Sequence, residues 1–389
     1  MNMKWLEDWF EKIEPKGKWA WLGSTYEAFH TFAFTPKTVT KSGSHIRDAV
    51  DMKRSIIIVV IALIPALLFG MWNIGYQTTV AGGLPADTGW LAQWWFGFLR
   101  MLPMIVVSYL VGLAIEFAFA QYRHHEVNEG FLATGLLIPM IVPVTTPLWQ
   151  LALAVAFAVI IGKEVFGGSG MNFLNPALVA RAFLFFAYPT HMSGDSVWIA
   201  ADLWGSDAIA GATPMGQLAT GSHPSASALD MLIGTIPGST CETSVIAIAL
   251  GAFLLLFTGI ASWRIMLSVF LGGGAMGLLF NAIGANDYMQ LPFYYHFLMG
   301  GFAFGAVFMA TDPVTAAQTN SGKWIYGLLI GAFAVLLRVC NPAYPEGMML
   351  SILFMNCMAP LIDHCVIARN IKSRESRLSR NSRKEASHE

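Results

Sequence analysis

The chain is poor in charge. Asp, Glu, Lys and Arg make up 12% of its 389 residues, and the formal net charge is −1. That balance removes the electrostatic basis for binding nucleic acid. Lys and Arg are absent from Pro189 through Thr240. Cysteine is scarce too: Cys241, Cys340, Cys357 and Cys365 form no Cys-x-x-Cys pair. An iron–sulfur cluster held by this chain alone is therefore not expected, nor is any other metal centre. Cysteines in or beside apolar segments act as small hydrophobes. No dinucleotide fingerprint is present, and Gly167-Gly-Ser-Gly170 lacks the Lys and Ser/Thr of a phosphate-binding loop. No nucleophile–His–carboxylate constellation stands out for hydrolysis. His124-His125 reads as a solvated pair in a connecting loop.

What remains is apolar. Hydrophobic residues are 55% of the chain, more than a soluble domain of this length can hide, so the bilayer must act as solvent. No signal peptide is visible before the first apolar run, Ile56 to Met71. About ten segments follow from hydropathy: roughly 55–73, 97–119, 131–144, 149–166, 176–188, 243–261, 265–283, 296–311, 324–340 and 347–366. Several fall short of the roughly 20 residues that span a bilayer. Short segments broken by Gly or Pro are expected where backbone lines an internal site.

Charge sets the expected sides. Arg47, Lys53 and Arg54 before the first segment hold the N-terminus in the cytoplasm. The outer loops 74–96, 189–240 and 284–295 then carry no Lys or Arg, whereas the inner ones carry Arg123, Lys163, Arg264 and Lys323. Seven basic residues between Arg369 and Lys384 place the C-terminus inside as well. Arg100 and Arg338 fall near outer ends and break the pattern. Residues 3–14 predict an amphipathic helix, with Trp5, Trp9 and Ile13 on one face, lying in the inner interface or packed on another polypeptide.

An internal repeat runs through the apolar region. Gly130-Phe131, Pro143-Val-Thr145 and Asn175-Pro-Ala177 recur in the same order as Gly301-Phe302, Pro313-Val-Thr315 and Asn341-Pro-Ala343. Each half holds five segments, and an odd number gives the halves opposite orientations. The expected fold is thus an all-α polytopic membrane protein of about ten transmembrane helices in two inverted five-helix repeats, with broken or short helices. Its parts are an N-terminal region at 1–54, repeats at 55–188 and 243–366, an outer loop at 189–242 and a basic tail at 367–389. Such repeats place a site between the halves, near the midplane. Gly272-Gly-Gly274 predicts close helix packing.

Two groups of residues could carry chemistry. Thr213, before Pro214, predicts a helix N-cap with Pro at the first helical position. A helix N-terminus also offers free N–H groups to a phosphate. The second group is ionisable and in or beside apolar segments: Glu116, Glu164, Arg181, Asp312, Glu346 and Asp363. A charge at the bilayer centre costs on the order of 2.5–3.5 kcal/mol on insertion scales, so these residues are expected to pair, face a cavity or handle a cation. Carboxylates suit sodium as hard ligands. Asp312 and Glu164, each beside a break, lead the candidates. In the plain alternative Glu164 pairs with Arg181 and Asp363 sits at headgroup level.

The runs Lys41-Ser-Gly-Ser-His-Ile-Arg-Asp-Ala-Val-Asp-Met-Lys-Arg54, His125-Glu-Val-Asn-Glu-Gly-Phe131, Lys163-Glu-Val-Phe-Gly-Gly168, Asn172-Phe-Leu-Asn-Pro-Ala177, Ala310-Thr-Asp-Pro-Val314 and Asn341-Pro-Ala-Tyr-Pro-Glu-Gly347 stand in one order. Together they resemble the NqrB family of sodium-translocating NADH:quinone oxidoreductases, from about residue 20 to 370. The related RnfD chain of the Rnf complex is a second reading, and a urea- or ammonium-type channel is an alternative of a different class. The resemblance implies FMN bound covalently through its phosphate to Thr213, the last residue of a pattern beginning at Asp207 and including Gly211 and Ala212. Ala210 stands where the family usually has Ser or Thr. The resemblance also implies non-covalent riboflavin, ubiquinone as electron acceptor, sodium export, a flavin transferase for maturation, other subunits that oxidise NADH, and a bacterial inner membrane.

Overall fold

The computed structural model describes residues 52–123, 130–195, 197–200, 211–341 and 347–385, with isolated positions 12, 15, 26, 40 and 42–44. All of the N-terminal amphipathic segment except Lys12, and His124, His125, Asp207, Ala210 and Glu346, lie outside these residues. Every regular element among the described residues is helical. Among the described residues six helices are long and apolar enough to cross a membrane, and three more are apolar but shorter.

The first half comprises α1 (Met52–Val80), α2 (Trp90–Arg123), the short α3 (Phe131–Ile141), α4 (Leu148–Gly162) and the short α5 (Pro176–Ala187). The loop that follows holds two six-residue helices, α6 (Pro214–Ala219) and α7 (Ala228–Ile233). The second half begins with α8 (Val245–Phe257) and α9 (Trp263–Ile283). After the small helices α10 (Asp287–Gln290) and α11 (Tyr295–Leu298) comes α12 (Phe302–Phe304), which continues as a π turn over Gly305–Met309. Helices α13 (Asn320–Cys340) and α14 (Gly347–Glu385) complete the chain.

Each apolar segment expected from hydropathy has a helical counterpart, but the ends differ. α1 and α2 extend well beyond the apolar runs, so the outer loop expected at 74–96 shrinks to the turn 81–89. Apolar runs mark what faces hydrocarbon, whereas backbone hydrogen bonding carries a helix on into the headgroup layer. For the same reason the basic segment after residue 366 is helical, continuous with α14 through Glu385. The segment expected at 296–311 is broken into α11, α12 and the π turn; Ala310 N–H reaches back to Gly305 O at 2.8 Å. π turns of this kind commonly mark functional sites.

Lipid-facing positions carry bare hydrophobes: Leu110 is 66% exposed and Phe253 70%. With no aqueous contrast to press helices together inside a bilayer, close backbone approach must do so. Small residues supply it. A Cβ at Gly97 would collide with Met71 O, one at Gly272 with Leu328 O, and one at Gly331 with Val269 O. α1 and α2, and likewise α9 and α13, therefore meet backbone to backbone, as the glycine run in α9 predicts.

The repeat has a packing counterpart. Phe131 opens α3 and fills the space where Gly112 of α2 lacks a side chain; Phe302 opens α12 and lies 2.7 Å from the Cβ position of Gly273 in α9. Both rings are fully buried. Gly130-Phe131 and Gly301-Phe302 thus start two short helices in the same way.

Candidate functional site

Thr213 caps α6. Its backbone is extended (φ −65°, ψ 154°), and its hydroxyl accepts the Gly216 N–H at 3.0 Å, with Pro214 in the first turn. This is the local geometry that a Thr-Pro step predicts. Thr213 as a whole is half-buried. Gly211 donates its N–H to Asp195 O at 2.8 Å, and a Cβ there would collide with the buried Ile199. That contact explains glycine two residues before the cap. Ala212 is half-buried between them. The neighbouring α7 carries a full capping box, Ser227 with Asp230, and these bonds hold the exposed Asp230 carboxyl below the usual carboxylate range.

Beneath α6 lies a layer of buried polar groups. Met215 is buried, and its sulfur lies 2.9 Å from the Cβ position of Gly300, which adopts φ +60°. Arg338 also approaches that position, its Nη2 3.6 Å away, and its Nη1 donates to His296 O at 2.7 Å and Nη2 to Met299 O at 3.2 Å. Next to Gly300, Gly301 leaves room for the Glu242 carboxylate, 2.8 Å from its Cβ position. Glu242 pairs with Arg181 of α5 at 3.6 Å, and both side chains are 2% exposed. Arg181 also donates to Ile141 O at the end of α3. Thr240 bonds Val142 O at 2.8 Å, and the Cys241 N–H bonds Met140 O at 3.1 Å. The carbonyls left open where α3 stops are thereby satisfied, as a buried helix end requires.

The second polar region lies toward the other end of α8, which rises on the order of 20 Å along its length. A cavity of about 220 Å³ opens there between the halves. Thr134 of α3, Lys163, Asn172, Asn175, the π-turn residue Phe308 and Asp312 are among its walls. Asn175 caps α5 through Ala177 N and donates to Asp312 at 3.2 Å. Asp312 also accepts from Val314 N and Thr315 Oγ1, each at 3.1 Å. All three donors are neutral.

The other carboxylates are engaged differently. Glu116, inside α2, forms an ion pair with Lys163. Glu164 pairs with Arg123 at 3.1 Å, and not with Arg181, which is held by Glu242. The alternation of α4 and α5 explains this: Arg123 ends α2 beside the start of the Glu164–Phe166 turn, whereas Arg181 lies along α5 toward α3. Asp363 accepts from Gln318 N (2.7 Å), Thr319 N (3.0 Å) and Thr319 Oγ1 (2.5 Å), binding α14 to the start of α13. Among the ion-path candidates, the structure thus brings Asp312 to a cavity, pairs Glu116 and Glu164 with cations, and gives Asp363 a capping role.

Sequence alone does not single out Glu242 or the Tyr288–His296–Arg338 group. The one signal is Arg338, an exception to the charge pattern. It is fully buried in protein, so its position says nothing about the positive-inside bias.

Known proteins are similar to this chain over nearly its whole length. A profile described as "NQR2, RnfD, RnfE family" matches residues 39–372. The chain is 49% identical to the B subunit of the Na(+)-translocating NADH-quinone reductase of Ectopseudomonas mendocina (strain ymp), covering 96% of this chain and 97% of that one. It is 46% identical to the protein of the same name from Klebsiella pneumoniae (strain 342), over 96% and 99%. Against that of Azotobacter vinelandii it is 48% identical, over 96% and 97%.

Proposed function

The chain belongs to the NQR2, RnfD, RnfE family, and on that premise we propose that it is the membrane subunit of a sodium-translocating NADH:quinone reductase that passes electrons from FMN on Thr213 through riboflavin to ubiquinone. The relatives from Ectopseudomonas, Klebsiella and Azotobacter are subunits of such an oxidoreductase complex. Near-complete coverage of both chains favours this reading over an RnfD-type role.

The observation that carries the flavin reading is the Thr213 cap. The residue sits half-buried at the entrance of α6, in a loop without Lys or Arg, its hydroxyl held by one N–H. An ester on that oxygen leaves a lone pair for the Gly216 N–H. The expected sides put this loop outside, in the periplasm of an inner membrane, with both termini in the cytoplasm. Asp207, Gly211 and Ala212 belong to the same acceptor pattern.

The cavity between the halves suits the second flavin. Its walls are largely apolar, and beside the charged Lys163 and Asp312 they carry the amides of Asn172 and Asn175 and the hydroxyl of Thr134, a donor and acceptor set that suits a neutral heteroaromatic ring. The protein's part is to hold such groups and tune them; the electron chemistry is theirs. Ubiquinone would be reduced toward the inner side, where protons are drawn from the cytoplasm. Sodium coupling falls best to Asp312, the candidate carboxylate held by neutral donors at the cavity wall, whereas Glu116 and Glu164 are engaged by Lys163 and Arg123, and Asp363 by the start of α13. NADH is oxidised by other subunits, and a flavin transferase loads Thr213. The test is flavin fluorescence of the denatured chain in a gel: a band that persists in Thr213→Val protein would refute the assignment.

A further inference from the structure

Arg338 is fully buried, yet its bonded partners are two backbone carbonyls, His296 O and Met299 O. Among the described residues no carboxylate pairs with it, and its Nε has no acceptor. A guanidinium does not lose its proton in proteins, so the charge is real and stays in place. Isolated buried charge is costly and is normally matched by an anion or by function. Arg181 illustrates the usual solution, because Glu242 faces it at 3.6 Å.

Two more buried polar groups stand in the same cluster without a partner: the Tyr288 hydroxyl and His296 Nδ1. The Tyr288 ring stacks on His296, with centroids 6.1 Å apart and planes within 6°. His296 is tied to Arg338 through its own carbonyl. Two of these unsatisfied atoms, the cationic Arg338 Nε and the Tyr288 hydroxyl, are donors, and together they favour negative charge placed close by. The group's position says where. Arg338 Nη2 is 3.6 Å from the Cβ position of Gly300, and the thioether of Met215 lies 2.9 Å from that same position. Met215 is two residues from Thr213.

We propose that Arg338, with Tyr288 and His296, forms a cationic platform beneath the α6 loop that stabilises negative charge on the group carried by Thr213 and so sets its reduction potential. This rests on the reading of Thr213 as the flavin anchor. The loop itself offers no Lys or Arg from 189 to 240, so a phosphoester and a reduced ring there gain no Lys or Arg from their own segment. Each electron that reaches the ring ahead of a proton leaves one negative charge on it. The electron arrives from partner subunits and departs to the next carrier; no bond to Arg338 forms or breaks. A positive charge held in a medium of low dielectric favours that charged state, raising the potential. Arg338 acts here as a positioning residue through its field, not by contact with the reacting atoms.

The test uses the whole complex carrying Arg338→Gln, Arg338→Lys or Tyr288→Phe. Denatured-gel fluorescence first reports whether flavin is attached; potentiometric titration then gives the midpoint potential of the covalent flavin. The expected result is attached flavin with a more negative potential in R338Q, a smaller shift of the same sign in Y288F, and a near-native potential in R338K. A native potential in R338Q overturns the proposal, as does R338K behaving like R338Q. If R338Q does not assemble, Y288F decides, because its hydroxyl has no partner to lose and a purely structural role leaves the potential unmoved. Absence of flavin from the unmutated chain would instead defeat the Thr213 assignment.

Discussion

The guanidinium of Arg181 lies 3.6 Å from the carboxylate of Glu242, and through this pair α5 of the first half is joined to the segment that opens the second. Both side chains are sealed from solvent. Breaking a buried pair by removing one partner typically costs about 3–5 kcal/mol, because the other charge is left uncompensated. Glu242→Ala is therefore expected to lower thermal stability in detergent sharply. Arg181→Met combined with Glu242→Met should recover much of the loss, and a double variant no more stable than Glu242→Ala would show that the pair is not the reason.

The repeat makes a paired prediction. Gly112→Ala puts a methyl into the Phe131 ring, and Gly273→Ala does the same against Phe302. Each should destabilise by about 1–3 kcal/mol, the usual cost of overpacking. Adding Phe131→Leu to the first variant, or Phe302→Leu to the second, should restore part of the stability. Thermal unfolding of the four proteins checks this, and additive losses in the doubles would count against the shared packing.

Much of this fold is legible in the sequence because hydropathy, glycine spacing and the recurring Gly-Phe, Pro-Val-Thr and Asn-Pro-Ala steps are local signals. Ten segments follow from them, and so does the Thr213 cap. What stays hidden depends on distance in the chain. Nothing near Glu242 announces that Arg181 lies opposite, and nothing near Lys163 announces Glu116, 47 residues earlier. Hydropathy misplaces helix ends for another reason: Val80 and Trp90 sit where the apolar run has already faded but the hydrogen-bond ladder has not.

Cap and attachment can be separated at Thr213. Asn is as good an N-cap as Thr but offers no hydroxyl for a phosphoester. Thr213→Asn should keep stability within a few tenths of a kcal/mol while losing bound flavin, whereas Thr213→Val loses the flavin and about 1 kcal/mol of stability. Thr213→Ser should keep both. Flavin fluorescence and thermal unfolding, read together, distinguish the three.

The carboxylates should also divide. Asp312 is held by Asn175, Thr315 and the Val314 amide at the cavity wall. Asp312→Asn is expected to weaken the sodium dependence of quinone reduction with little change in melting temperature. Asp363 holds the start of α13 through three bonds. Asp363→Asn should cost about 1–3 kcal/mol of stability, since the half-buried Thr319 N–H and hydroxyl lose a charged acceptor. Unchanged sodium dependence in Asp312→Asn removes that residue from the path.

The central claim is that Thr213 carries FMN, and a peptide mass tests it most directly. Trypsin has no site between 189 and 240, so chymotrypsin is the suitable protease, cutting after Trp204 and Leu218. In chain co-expressed with a flavin transferase, the peptide Gly205–Leu218 is predicted to gain the mass of FMN less one water, with fragment ions assigning it to Thr213, Ala210 notwithstanding. The same peptide recovered only in unmodified form, or flavin found on another residue, would contradict the account.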